Sequence, residues 1–226
     1  MNRTESQLNR DKRFRHVVWD WNGTLLNDTR ACVEALNAIL AWQQRPSVTE
    51  TEYRQTFGFP VQDYYRGLGL PCEGALWDEL TRIFHDHYAV ASRRAPLREG
   101  IRDILGALRE RNTPMSVLSA CEASILERMI RERDILDCFE HIYGLDNLDA
   151  HSKFDIGHAL MKTLAIPPSN ILLIGDTTHD YDVASALGCA CLLLADGHQS
   201  AERLKACGCA IAQTPEAILE FMDASD

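Results

Sequence analysis

The chain has 226 residues, 46% of them hydrophobic and 25% charged, with a formal net charge of −10; this is ordinary globular composition, enough for one domain or one domain carrying a smaller insertion. The acidic balance argues against a nucleic-acid partner, and no run of roughly 18 apolar residues exists to span a membrane. The first residues, MNRTESQLNRDKRFRH, lack the apolar core of a secretory signal, so residues 1–14 are expected to be a flexible extension and the chain cytoplasmic.

The first element is the apolar run His16-Val-Val-Trp, a buried strand that ends on Asp20 and the turn Asn22-Gly23-Thr24. From Asp28 to Trp42 the apolar positions Ala31, Ala35, Leu36, Ile39 and Leu40 fall at helical spacing, with Asp28 or Thr29 as N-cap. Residues 49–93 read as further helices, broken at Phe57-Gly-Phe-Pro60 and Gly67-Leu-Gly-Leu-Pro71, with no strand. After helix Ile101–Arg111 the pattern alternates. Strands are expected at Met115–Leu118, His141–Tyr143, Asn170–Ile174, Cys189–Leu194 and Ala210–Ala212. Helices are expected at Glu122–Arg133, Lys153–Leu164, Thr178–Leu187, Ala201–Ala206 and Pro215–Met222. Alternation of this kind predicts an α/β fold, a Rossmann-like parallel sheet with helices on both faces. Residues 15–27 and 96–226 form its core, and 28–95 an inserted helical cap. Right-handed crossovers place the carboxyl ends of the strands on one edge, where such sheets bind ligands.

Eight cysteines are present, including Cys189/Cys191 and Cys207/Cys209. Without a secretory signal they are expected to be reduced thiols. The C-x-C spacing is shorter than the usual zinc spacing, and Cys189 and Cys191 alternate along a strand, which favours packing over metal.

Four polar signals lie where strands end or helices begin: Asp20 with Gly23-Thr24, Ser119, Lys153, and Gly175-Asp176-Thr-Thr-His-Asp180. Each alone has a structural reading, as a tight turn, a cap or a solvated helix start. Together they converge on one sheet edge. The set VVWDWNGTLL, MSVLS, HSKFDIG and GDTTHD, in this order, resembles the haloacid dehalogenase superfamily from residue 16 onward, and the helical insertion resembles the cap of phosphoglycolate phosphatases. The resemblance implies a phosphatase acting on a small phosphorylated metabolite, with Asp20 as nucleophile forming an aspartyl-phosphate. It implies Mg²⁺ held by Asp20, Asp176, the Asn22 carbonyl and Asp180, the last directly or through water. Ser119, Lys153 and backbone N–H groups near Gly23 and Ala120 are expected to bind the phosphoryl oxygens. Monomer and homodimer both remain open.

One position departs from the family. The resemblance calls for a second Asp, the general acid and base, two residues after the nucleophile; this chain has Asn22. An amide cannot exchange a proton in that role, and such help is typically worth about 10²–10⁴-fold in rate. One reading is a slow or specialised phosphatase that favours good leaving groups or uses a substitute base; His179 is a candidate, with a surface helix position as its alternative. A second is a protein that binds Mg²⁺ and a phosphorylated ligand without efficient turnover. A phosphonate-cleaving relative would need a cap lysine, and no lysine occurs between Lys12 and Lys153. The acidic pair Asp176 and Asp180 argues against a metal-free dehalogenase. Asn22-Gly23 is also prone to deamidation when flexible, and we hypothesise that aged protein gains activity this way; a peptide map of active protein with intact Asn22 would exclude it.

By position, Phe57-Gly58-Phe59-Pro60 resembles the specificity loop of the family's caps. Arg54, Gly58, Phe59 and Tyr64, with Tyr65 and Arg66 nearby, are candidates for substrate choice. The alternative, that the aromatics are cap core and the arginines solvated, stays open at this level, as does whether His198 lines the site or caps the next helix. Trp21 is expected to be packing.

Overall fold

The computed structural model describes residues 13–145 and 152–225. Six strands form one parallel sheet: β1 (His16–Trp19), β2 (Met115–Glu122), β3 (His141–Leu145), β4 (Ile171–Gly175), β5 (Ala190–Leu194) and β6 (Ala210–Ala212). Their order is β3-β2-β1-β4-β5-β6, so the direction of winding reverses at β1, the place where open α/β sheets hold ligands. The strands read as continuous apolar runs because both faces are covered. In β1, Val17 and Trp19 pack into one buried cluster with Leu105, Leu108 and Ile174. Val18 points the other way, into a second cluster with Leu118, Leu173 and Val183.

Helices α5 (Ile101–Glu110), α6 (Ala123–Arg131), α7 (Lys153–Leu164), α8 (Thr178–Leu187), α9 (Ala201–Leu204) and α10 (Glu216–Asp223) accompany the sheet. Between β1 and β2 lie α1 (Thr29–Trp42), α2 (Glu50–Thr56), α3 (Val61–Gly67) and α4 (Gly74–Ala91). These four helices share a separate nucleus built on Leu36, Ile39, Leu40, Tyr53, Tyr65 and Leu80. Helix α2 starts with a full capping box, in which Thr49 and Glu52 satisfy each other's backbone N–H.

Some expected boundaries move. Strand β2 runs on past Leu118 to Glu122, with a register irregularity between those residues where it pairs with β3. Glu122 is not helical; it caps α6 by accepting from the N–H of Ser124 and Ile125. Of the expected N-terminal extension, residues 1–12 lie outside the described residues. Phe14, placed in that extension by the sequence, is 1% exposed and stacks on Phe221 at 5.9 Å. Burying an aromatic ring outweighs the freedom of the chain end. All eight cysteines are free thiols, and Cys189 and Cys191 pack against the second cluster as expected. No helix among the described residues is long and apolar enough to cross a membrane.

Candidate active site

The site forms where β1 and β4 end side by side. Register pairs Trp19 with Ile174, and the Asp20 N–H continues the ladder to the Ile174 carbonyl at 2.8 Å. Asp20 and Asp176 therefore emerge from adjacent strand ends. On the other side of β1, Trp19 pairs with Val117, which carries Ser119 to the same edge. Ser119 is buried, and its Oγ accepts from the Cys121 N–H at 3.1 Å. The neighbouring Ala120 is exposed.

Asp180 reaches this edge from the first turn of α8. Its Oδ2 accepts from Thr177 N–H (3.0 Å), Thr177 Oγ–H (2.7 Å) and Asp176 N–H (3.2 Å). Close approach is possible because residue 175 is glycine: a Cβ there would lie 2.3 Å from Asp180 Cβ. Lys153, opening α7, donates to Asp20 Oδ1 at 2.5 Å and to Asp180 Oδ1 at 2.6 Å, and its side chain is 3% exposed. The Thr24 hydroxyl lies between Asp20 Oδ2 (3.1 Å) and Asp176 Oδ1 (2.7 Å). Asp20, Ser119, Lys153, Asp176 and Asp180, expected from the sequence, thus gather on one sheet edge.

Carboxylate oxygens of Asp20, Asp176 and Asp180 all lie within 4.8 Å of one another. Burial, reinforced by Asp180 and Asp176 and opposed by Lys153, pushes Asp20 up to about 7. Burial likewise raises Asp176. The Lys153 ammonium is held protonated by Asp180 and Asp20 against its own desolvation. The acids Asp20, Asp28, Asp176 and Asp180 are all buried here, against the cations Lys153 and His198. The three carboxylates that converge offer only oxygen donors, the ligand set that Mg²⁺ prefers. The residues present therefore fit such an ion.

Asp28, Tyr88 and His198 carry more at the site than the sequence indicated. Asp28 occupies the N-cap position of α1 but makes no side-chain cap. Instead its Oδ1 accepts from Gly23 N–H at 2.8 Å, and its Oδ2 from Tyr88 O–H at 2.6 Å and Asn22 Nδ2 at 2.8 Å. The Gly23 N–H, expected to face phosphoryl oxygens, is thus already committed. His198 lines the site rather than capping a helix. Its Nε2 lies 3.2 Å from Asp28 Oδ1, its Nδ1 3.1 Å from Tyr53 Oη, and its backbone N–H donates to Asp176 at 2.5 Å. Burial works to lower its pKa, but Asp28, with Asp176 and Asp20 beyond it, lifts it to about 9. Burial also works against the Asp28 carboxylate, yet His198 and the hydrogen bonds from Tyr88 and Asn22 hold it below the usual range. Nothing local marks these partners, and by sequence Asp28 reads as an N-cap.

The cap candidates lie on α2, on α3 and in the loop between them. Arg54 donates from Nε to the Gly197 carbonyl at 3.0 Å, and its backbone carbonyl accepts from Ser200 N–H. It ties α2 to the loop after β5. Tyr64 is buried, packed edge-on to Tyr53 and Phe57. Phe59 is 42% exposed and stacks on His179, with ring centroids 4.7 Å apart. His179 also meets Phe154, so it is held between aromatic rings. Gly58, Phe59 and Tyr64 line a cavity of about 380 Å³ with Pro60 and Leu68, and none of the buried site acids is part of its wall. Trp21 is fully buried, as expected.

Residues 17–194 match the model of the haloacid dehalogenase-like hydrolase family. The chain is 24% identical over 203 residues to a phosphoglycolate phosphatase of Chromobacterium violaceum, covering 86% of this chain and 91% of that protein. It is 26% identical over 192 residues to a phosphoglycolate phosphatase of Pseudomonas putida, covering 81% of this chain and 70% of that one. A solved haloacid dehalogenase-like hydrolase from Streptococcus pneumoniae superposes with a TM-score of 0.80 at 23% identity, over 92% of this chain and 98% of that one. With the family model spanning β1 to β5 and the parallel sheet in place, the chain belongs to the haloacid dehalogenase-like hydrolase family.

Proposed function

We propose that this chain is a Mg²⁺-dependent phosphatase-type hydrolase that acts on a small phosphorylated metabolite through an aspartyl-phosphate at Asp20. The observation that carries the reading is the buried chain of contacts Asp180–Lys153–Asp20–Thr24–Asp176 at the strand ends. The phosphoglycolate phosphatases among the relatives support the same substrate class.

Asp20, Asp176 and Asp180, with the Asn22 backbone carbonyl, would hold Mg²⁺, which when bound offsets repulsion between the anionic phosphate and the anionic nucleophile. Asp20 supplies the attacking carboxylate oxygen. Lys153 fixes that carboxylate and adds positive charge where the phosphoryl oxygens sit. Ser119 and the N–H of Ala120 donate to the same oxygens. Thr24 holds Asp20 and Asp176 at their spacing. The helices at residues 28–95 act as the cap, and Phe57–Pro60 as the loop facing the substrate.

The test is phosphate release from p-nitrophenyl phosphate and acetyl phosphate, with and without Mg²⁺, by fresh wild type and Asp20→Asn. Mg²⁺-dependent release abolished in Asp20→Asn is the expected result. A wild type that binds Mg²⁺ and phosphate analogues but releases nothing would favour the second reading, a ligand-binding protein impaired by Asn22.

A further inference from the structure

The neighbours of Asn22 decide which way its carboxamide faces. Asp28 Oδ1 accepts from the Gly23 N–H at 2.8 Å and Oδ2 from the Tyr88 hydroxyl at 2.6 Å. An acceptor so engaged can meet Asn22 only through the NH₂ end, and Nδ2 lies 2.8 Å from Asp28 Oδ2. The other proton on Nδ2 goes to Tyr88 Oη at 2.7 Å. Tyr88 gives its own proton to Asp28 and receives one from Asn22, which closes a three-membered ring of hydrogen bonds. Both amide donors are committed, and Oδ1 is the polar atom of that side chain without a partner among the described residues. Asp28 has no freedom to release them: it is 0% exposed, and His198 lies against its other oxygen.

We infer that Asp28 and Tyr88 are positioning residues that hold Asn22 with an acceptor oxygen, and no donor, available to the Asp20 site, so that the enzyme takes phosphates whose leaving group departs as an anion, acyl phosphates foremost. This rests on the phosphatase reading of Asp20.

With an acyl phosphate, an Asp20 carboxylate oxygen bonds to phosphorus as the bond from phosphorus to the acyl oxygen breaks. The electron pair leaves with a carboxylate, which needs no proton. In the second step a water oxygen bonds to phosphorus and the phosphorus–Asp20 bond breaks, its electrons returning to the Asp20 carboxylate. One proton of the water stays on its oxygen and the other passes to a phosphoryl oxygen, giving dihydrogen phosphate. Asn22 Oδ1 accepts a hydrogen bond from that water and orients it. An alkyl phosphate must expel an alkoxide, and residue 22 has no donor to protonate it, forfeiting general-acid help worth about 10²–10⁴-fold.

The experiment measures kcat and KM with Mg²⁺ for acetyl phosphate, a series of substituted phenyl phosphates and 2-phosphoglycolate, on protein whose Asn22 is verified intact by peptide mapping. The expected result is a steep fall of kcat as the leaving-group pKa rises, with KM nearly constant. Asn22→Asp flattens that dependence by about 10²-fold or more at the alkyl end. Tyr88→Phe frees one amide N–H and flattens it on the order of fivefold, the worth of one hydrogen bond. Asp28→Asn, of the same shape, serves if Tyr88→Phe does not fold. A flat wild-type series, or a folded Tyr88→Phe or Asp28→Asn series parallel to wild type, overturns the inference and leaves the Asp20 reading standing. No Asp20-dependent release from any of the compounds overturns both.

Discussion

Replacing Lys153 with methionine removes the ammonium but keeps the length of the apolar stem. Nζ lies 2.5 Å from Asp20 Oδ1 and 2.6 Å from Asp180 Oδ1, and all three side chains are under a tenth exposed. Breaking a buried pair costs about 3–5 kcal/mol, because the surviving charge is left without a partner. Here two carboxylates lose the same cation while Asp176 stands beside them, so the upper part of that range applies. The assay is urea unfolding in EDTA. With a slope near 2.5 kcal/mol per molar, usual for a chain of this size, a loss of about 4 kcal/mol lowers the midpoint by about 1.5 M. Adding Mg²⁺ should recover more stability in Lys153→Met than in wild type, since an ion that binds only the folded state stabilises it. In an Asp20→Asn background the cost of Lys153→Met should fall by at least ~1 kcal/mol, the coupling of two groups in contact. A midpoint shift under ~0.4 M in EDTA would refute the reasoning, because it would mean that the buried carboxylates do not depend on Lys153.

Gly23 has φ of +75°, and a Cβ there would lie 2.3 Å from Asp176 Oδ2 and 2.5 Å from His198 Cδ2. Gly23→Ala should therefore destabilise by at least ~2 kcal/mol and displace Asp176, with phosphate release falling alongside the melting temperature; unchanged stability and activity would count against the placement of the turn. His16 bonds Ser116 at 2.8 Å, and burial, with His141 close by, lowers its pKa to about 4 from 6.5. The unfolded chain takes up this proton first as pH falls, so the contribution of His16 is present above pH 6.5 and lost progressively towards pH 4. The full loss is about 3 kcal/mol. In His16→Gln the stability difference between pH 7 and pH 4, measured by urea unfolding, should shrink by up to that amount.

Much of the architecture was legible because it is written in local periodicity. The apolar runs at Val17–Trp19 and Ile171–Ile174 and the helical spacing in α1 recur in the structure nearly where expected. Boundaries were less legible: β2 overran Leu118 and Glu122 became a cap, since the end of a strand depends on its partner in β3. Where the cap candidates sit was not legible for a similar reason. Arg54, by sequence a candidate for substrate choice, meets the Gly197 carbonyl across 143 residues, and that pairing exists only once α2 docks on the loop after β5.

By itself the sequence determined the parallel sheet, the all-helical insertion after the first strand, and the set Asp20, Ser119, Lys153, Asp176 and Asp180. Each depends on a short motif at a strand end or helix start, where backbone geometry and chain order suffice. Only the tertiary structure decided the surroundings of Asn22. Asp28 lies six residues away, Tyr88 66, and His198 meets Tyr53 across 145. No period or turn rule links positions so far apart. Their bonds follow from burial, which favours a partner for most buried donors and acceptors among whatever the packed chain brings near.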